Sequence, residues 1–110
     1  MNVNWKSGFL ALVAAALMAT PGRAQEPAGN AGMGHNLAKA ICSDCHQVDV
    51  DDPRPRADAP GFADVAALPS TTALSLRVFL VSSHRTMPNF QLPPGDIDDV
   101  VAFILSLKGK

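Results

Sequence analysis

The segment Cys42-Ser43-Asp44-Cys45-His46 constrains this chain more than any other feature. Its two cysteines stand three residues apart and a histidine directly follows the second, which is the attachment pattern of c-type haem. Each thiol can bond one vinyl group of a porphyrin. The histidine then lies beside the metal, where an imidazole nitrogen suits iron. The motif predicts one covalent haem c on Cys42 and Cys45, with His46 as an iron ligand.

The same two cysteines offer a second interpretation, a small disulfide of the thioredoxin-like kind. They are the only cysteines in the chain. A redox disulfide of this type requires a strand–helix–strand context around the pair. The sequence contains no such pattern, so the haem interpretation is favoured.

The first 24 residues have the pattern of a secretory signal peptide. Lys6 gives a positive start, an apolar run covers residues 8–19, and small residues precede a predicted cut after Ala24. A membrane anchor is the alternative, but this run is well short of the about 20 apolar residues that span a bilayer. We therefore expect a periplasmic protein whose mature chain has no transmembrane segment.

Cleavage would leave 86 of the 110 residues and would remove Lys6 and Arg23, which takes the formal net charge from −1 to −3. A mildly acidic chain of this kind is not a nucleic-acid binder. Its modest core would gain considerably from a bound cofactor. We divide the chain into a signal peptide (1–24), a flexible tail (25–33) and one domain (34–110), and we expect a monomer.

Two helical segments are predicted around the motif. The first begins near Asn30, a good N-cap residue, and ends at the motif; Gly34 on its apolar face suits close approach of another helix. Residues 47–69 then read as an irregular, proline-broken stretch that could wrap a cofactor. Within it, only residues 62–68 could form a short helix.

Two further helices are predicted in the C-terminal half. The first follows N-cap candidates at residues 70–72, is mostly buried and ends around residues 82–84. The last helix is capped by Asp96, and its apolar stripe needs a partner, for which the face containing Gly34 is the best candidate.

The order of these parts resembles the class I cytochromes c, especially the short bacterial ones. The resemblance rests on a helix, CxxCH, a long loop, a helix, a Met-Pro loop and a C-terminal amphipathic helix, and it covers roughly residues 34–108. It implies an all-α cytochrome c fold, with three to four helices and long loops around one covalently attached haem. By the same resemblance, His46 is the proximal iron ligand and Met87 the distal one.

The resemblance also implies two supporting residues. The carbonyl group of Pro60 would hold the second ring nitrogen of His46. Asn89 would hydrogen-bond the sulfur of Met87, although an ordinary turn residue after Pro88 is an equal alternative.

Other residues compete for these roles. His84 is the rival distal ligand, and Met33 is the other methionine of the mature chain, placed before the motif. We interpret His35 as facing solvent. The carboxylates of Asp49, Asp51 and Asp52 are interpreted as a solvated acidic loop.

A haem closed by a histidine and a methionine has no site for substrate, so the predicted function is one-electron transfer and not catalysis. The partners would be redox proteins, such as a dehydrogenase, a cytochrome complex or a terminal oxidase. One alternative is a permanent cytochrome subunit of a dehydrogenase or oxidase, which a large exposed apolar patch would favour. A five-coordinate haem enzyme or sensor is the alternative if Met87 does not bind.

Overall fold

The structure is a computed structural model, and it describes residues 28–52, 59–82 and 86–110. The described residues form four helices: α1 (Ala31–Ile41), α2 (Phe62–Ala67), α3 (Ala73–Val81) and α4 (Pro94–Ser106). These described ranges contain no β-strand. The predicted all-α class is therefore confirmed. The predicted signal peptide lies outside the described residues.

Helix α1 begins where its capping chemistry predicts. The side chain of Asn30 accepts a hydrogen bond of 3.0 Å from the amide of Met33 and so satisfies one of the free N–H groups of the first turn. The Asn30 amide in turn donates to Oδ1 of Asp99, at 2.6 Å. The helix therefore begins at Ala31, as the predicted cap at Asn30 implies.

Helices α1 and α4 cross at backbone distance, and Gly34 is the residue that permits it. Gly34 is buried, and a Cβ at this position would collide with the carbonyl group of Asp99 and approach the amide nitrogen of Val100 to 2.9 Å. The prediction that α4 packs against the Gly34 face is therefore confirmed. The buried residues of α4 are Ile97, Val100, Val101, Ala102, Phe103 and Ile104.

The start of α4 differs from the prediction. The N-cap is Pro93, and Pro94 occupies the first helical position, where its fixed φ suits the helix and its missing N–H is not needed. The amide of Ile97 makes the first helical bond, to the carbonyl oxygen of Pro93 at 3.1 Å. Asp96 was wrongly predicted as the cap; it lies in the first turn, where its charge still opposes the helix dipole.

Helix α3 begins with a capping box. The Thr72 hydroxyl accepts from the Ser75 amide at 3.1 Å, and the Thr72 amide donates to the Ser75 hydroxyl at 2.8 Å. The helix ends at Val81 with Ser82 as its C-cap. The predicted start and end of this helix are therefore confirmed.

The expectation that α3 is mostly buried is wrong. Of its nine residues only Leu76 is buried. The helix reaches the core through one narrow strip, because Ala73 and Leu80 are partly buried beside Leu76 and Arg77 forms an ion pair with Asp98 of α4. The exposed apolar side chains of α3 are Leu74 (72% exposed), Val78 (56%), Phe79 (55%) and Val81 (64%).

Candidate functional site

The CxxCH segment forms a tight turn directly after α1. Cys42 is the C-cap of the helix, and its amide donates to the carbonyl oxygen of Ala38 at 2.9 Å. The Cys42 carbonyl oxygen then accepts from the amides of Cys45 (3.2 Å) and His46 (2.9 Å). Helix α1 therefore delivers both cysteines and the histidine within one compact turn, as predicted from the sequence.

The two thiols are free and lie in different environments. Cys42 is half-buried and Cys45 is exposed. Burial raises the pKa of the Cys42 thiol from 9.0 to about 11, because the thiolate form is desolvated. Redox-active cysteine pairs depend on a lowered thiol pKa. The turn therefore does not have the electrostatics of a thioredoxin-like disulfide.

His46 is held in one orientation by a backbone acceptor. Its Nδ1 lies 2.7 Å from the carbonyl oxygen of Pro60. A carbonyl oxygen can only accept, so Nδ1 carries the proton and donates it. Nε2 is then left with the lone pair that a metal ion needs. The acceptor is the one that the family resemblance implies for the histidine ring.

The loop after His46 is tied to α2. The Phe62 amide donates to the Gln47 carbonyl oxygen at 2.9 Å. The Gln47 side chain donates to the carbonyl oxygens of Val50 (3.1 Å) and Asp52 (3.2 Å). In addition, the Phe62 ring lies against the His46 ring, with 5.2 Å between centroids. Helix α2 and this loop together fix the backbone on both sides of the histidine.

A polar cluster joins the same loop to α1. One carboxylate oxygen of Asp49 lies 2.6 Å from Nε2 of His35, and the other accepts from Lys39 Nζ at 2.6 Å. The predictions of a solvent-facing His35 and a solvated Asp49 are only partly right, because the two side chains keep contact with solvent but are also paired with each other. These side chains are only about one-third exposed, and the His35 ring packs on Phe103 at 4.9 Å.

The spacing of His35 and Lys39, four residues apart on one helix, was a signal that the two side chains share a face. It did not reveal their carboxylate partner. Asp49 reaches them only because the loop folds back over α1, and sequence spacing carries no information about that return.

The Met-Pro segment is described from residue 86 onward. Met87 is half-buried and Asn89 is exposed. The carbonyl oxygen of Pro88 accepts from the amide of Phe90 at 2.9 Å, which tightens the chain after the methionine. Met33, the competing methionine, lies on α1 and is 61% exposed. His84, the competing histidine, lies outside the described residues.

The donor set of the described chain fits a covalently attached haem. Two free thiols and an imidazole with a free nitrogen are present in one turn, and a thioether follows in a separate irregular segment. Soft sulfur and imidazole ligands suit haem iron. In the described part of the chain, α3 also presents exposed apolar side chains, which suit a haem pocket.

The two sides of α3 are distinguished by their neighbours. Arg77, which pairs with Asp98, lies three and four residues from Leu74 and Val81, so these two share its side of the helix. Phe79 is three residues from buried Leu76 and lies on the opposite side, next to the core. The Phe79 side of α3 therefore adjoins the core, and the Leu74 side adjoins the ion pair.

These features are those of a c-type haem protein, and comparison with known proteins gives the family. Residues 31–108 match the family model for cytochrome c. The chain is 40% identical over 81 residues to a cytochrome c-552 of Bradyrhizobium diazoefficiens, an alignment that covers 74% of this chain and 78% of that protein. No solved structure is significantly similar to the chain.

The chain belongs to the cytochrome c family, and specifically to the class I c-type cytochromes. Its cofactor is haem c, and its family performs electron transfer. Within the described residues, no helix has the length and apolar character needed to cross a bilayer.

Proposed function

We propose that this protein is an exported one-electron carrier whose haem iron is ligated by His46 and Met87. The observation that carries this proposal is the hydrogen bond from His46 Nδ1 to the carbonyl oxygen of Pro60, because it leaves Nε2 available to the metal. When bound, the haem supplies an Fe(III)/Fe(II) couple at neutral pH.

The side chains have distinct tasks in this proposal. Cys42 and Cys45 would form thioethers that keep the cofactor from dissociating. His46 and Met87 would hold the iron, and with both side chains bound no position would remain for a substrate. Because a thioether ligand favours the ferrous state, Met87 would raise the reduction potential. Asn89, two residues after Met87, is exposed and is the proposed hydrogen-bond donor to its sulfur.

Electrons would pass through the exposed edge of the site. Asp44 and Cys45 are exposed on one side, and Pro88 and Asn89 are exposed on the Met87 side. Electron-transfer contacts are small and short-lived, so a limited surface of this kind is sufficient. Redox proteins such as a dehydrogenase, a cytochrome complex or a terminal oxidase are the proposed partners of a monomeric carrier.

One observation favours a second candidate function. Leu74, Val78 and Val81 form an exposed apolar stripe on the side of α3 that adjoins the Arg77–Asp98 ion pair. A stripe of this kind suits the permanent cytochrome subunit of a dehydrogenase or oxidase complex. Co-purification of the native protein in a stoichiometric complex would favour this candidate over the free carrier.

The proposed location is the periplasm, reached through the signal peptide predicted for residues 1–24. Haem c attachment in bacteria takes place outside the cytoplasmic membrane, so export and cofactor agree. The N-terminal sequence of the mature protein tests this proposal, and it should begin at Gln25. An uncleaved N-terminus would indicate an anchored form instead.

Replacing Met87 by Ala tests the ligation directly. The variant should lose the weak near-red sulfur-to-iron absorption band of the ferric protein and should bind CO and cyanide at neutral pH, because one axial position becomes open. Met33→Ala is the matched control, since Met33 is exposed on α1, and it should keep the wild-type spectrum. An unchanged spectrum and ligand access in Met87→Ala would contradict His/Met ligation and would direct attention to His84.

A further inference from the structure

A chain of four rings, joined by three contacts, links two histidines across the molecule. The His35 ring lies 4.9 Å from that of Phe103, the Phe103 ring lies 6.2 Å from that of Phe62, and the Phe62 ring lies 5.2 Å from that of His46. Both phenylalanines are buried, with 6% and 7% of their surface exposed. The medium between His35 and the proposed iron ligand is therefore apolar protein and not water.

An apolar path of this kind transmits charge effects well. Water and salt screen two charges that interact through solvent, whereas buried apolar groups screen them much less. A positive charge on His35 would thus be felt at the His46 side of the core.

The His35 ring has one nitrogen available to gain a proton. Its Nε2 faces Asp49 Oδ1 at 2.6 Å, and since a carboxylate accepts, Nε2 is the nitrogen that carries the hydrogen in the neutral ring. Nδ1 is then the nitrogen that binds an additional proton. About 37% of the His35 side chain is exposed, so this proton can come from solvent.

The charged groups around His35 come from three parts of the chain. Lys39 lies one turn further along α1, and it bonds the same carboxylate group of Asp49. Asp51 and Asp52 lie in the loop beside Asp49 and line the same shallow cleft as Lys39 and Phe103. From α4, the ring of Phe103 contacts His35, while the carboxylate of Asp99 contacts α1 at its start, through the amide of Asn30.

Asp49 stays a carboxylate throughout the range in which histidine titrates. Hydrogen bonds from Lys39 and His35 lower the pKa of Asp49 below its ordinary value of 3.8. Histidine is the one kind of side chain in this cluster whose charge can change near neutral pH.

We propose that His35 is a redox-linked proton site: Nδ1 binds a proton from solvent when the protein accepts an electron, and releases it when the electron leaves. This proposal rests on the proposed electron-carrier function. Haem iron, when bound, would lose one positive charge on reduction, and the proton taken up by His35 would replace that charge. In balanced form, one electron arrives from the redox partner, up to one proton arrives from water, and one N–H bond forms.

The linkage works equally in both directions. If the ferrous protein binds the proton more tightly than the ferric protein, then the protonated protein must be the easier one to reduce, by the same factor. The reduction potential should therefore be higher at low pH, where His35 is charged, and should fall as the pH rises and the proton is lost.

Redox titration of the holoprotein between about pH 5 and pH 9 tests this directly, in the range in which histidine titrates. For the wild type we expect the equilibrium constant for reduction to fall about fivefold across the titration of His35, a decrease of about 40 mV in midpoint potential. In His35→Gln this pH-dependent decrease in midpoint potential should be lost. Gln keeps a hydrogen-bond donor for Asp49 but does not bind a proton in this range. Asp51→Asn, which alters a neighbouring carboxylate, should retain the step.

A second measurement needs no variant. The NMR signal of the His35 ring, followed with pH in the ferric and ferrous proteins, should show proton uptake at a higher pH in the ferrous protein. The proposal is overturned if the two titrations coincide, or if His35→Gln keeps the full wild-type step. If voltammetry shows a reversible one-electron wave whose midpoint potential does not depend on pH, the proton site at His35 is contradicted and the carrier function is not. If no reversible wave is seen, the proposed carrier function itself is contradicted.

Discussion

The α1–α4 pair and helix α3 differ in how their apolar residues are covered. Six of the 13 residues of α4 are buried, against one of nine in α3. At Gly34 the backbones of α1 and α4 are in direct contact, and this contact needs no cofactor to fill it. Within the described residues, helix α3 reaches the core along the narrow strip of Ala73, Leu76 and Leu80. Among the described residues, the α1–α4 contact is thus completed by protein, whereas α3 presents apolar side chains that a cofactor or a partner could cover.

The largest expected effect comes from opening the α1–α4 contact. Gly34→Val would place side-chain atoms where the Asp99 carbonyl group lies, and because backbone cannot yield as a flexible side chain does, we expect a loss of about 3 kcal/mol or more in unfolding free energy. Denaturant unfolding of the holoprotein measures this loss.

Gly95 provides the matched control within α4, because a Cβ at Gly95 has nothing within 4 Å. Gly95→Ala should be neutral or stabilising by up to about 1 kcal/mol, since alanine is the better helix former. Equal losses in both glycine variants would show that helix propensity, and not the close contact, determines the result.

The next largest loss of unfolding free energy is expected at one of two leucines on α3. Leu76 is 6% exposed and belongs to the core, whereas Leu74 is 72% exposed. Leu76→Ala should lower the unfolding free energy by about 2–4 kcal/mol through lost burial and a residual cavity. Leu74→Ala, which makes the same chemical change, should cost less than about 0.5 kcal/mol.

Thermal or denaturant unfolding of both variants in the haem-loaded state decides this comparison. A cost above about 1 kcal/mol for Leu74→Ala, well outside the usual range for a surface site, would mean that the haem covers the Leu74 side of the helix.

The smallest expected change in unfolding free energy comes from the cluster of Asp49, His35 and Lys39, which joins the loop after His46 to α1. Lys39 and His35 lower the pKa of Asp49 below 3.8, so its contribution to stability is present above that pH and is lost as the pH falls through the lower, folded value. With Asp49 about 35% exposed, Asp49→Asn should cost only about 0.5–1 kcal/mol at pH 7.

Unfolding measured at pH 7 and at about pH 3, below the ordinary aspartate value, provides the check. The difference between wild type and Asp49→Asn should shrink at the lower pH. Asp51→Asn, at an exposed position in the same loop, should behave as the wild type at both. A cost that does not change with pH would show that Asp49 acts through shape and not through charge.

The parts that could be predicted from the sequence are those specified by local chemistry. The cap at Asn30, the close approach at Gly34 and the CxxCH turn each depend on a few neighbouring residues and the backbone they favour. The start of α4 was missed because Asp96 also suits a cap, and only the conformation of Pro93 decided between them.

The features that escaped prediction depend on contacts between distant parts of the chain. The exposure of α3 depends on how narrow its contact with α4 is, and an apolar pattern does not specify the width of a contact. The pairing of His35 with Asp49 requires the loop to return over α1, across 14 residues of sequence. The carbonyl acceptor of His46 was inferred only through the family resemblance, since any residue can supply a carbonyl oxygen.

The unequal environment of the two thiols has a consequence for biosynthesis. Thiolate is the form that forms bonds, and burial, which raises the pKa of Cys42 to about 11, disfavours that form in the folded turn. In a solvated, unfolded segment the same thiol would be free of this desolvation and open to a reaction partner. The half-buried position of Cys42 therefore favours attachment of the cofactor before the end of α1 packs into place.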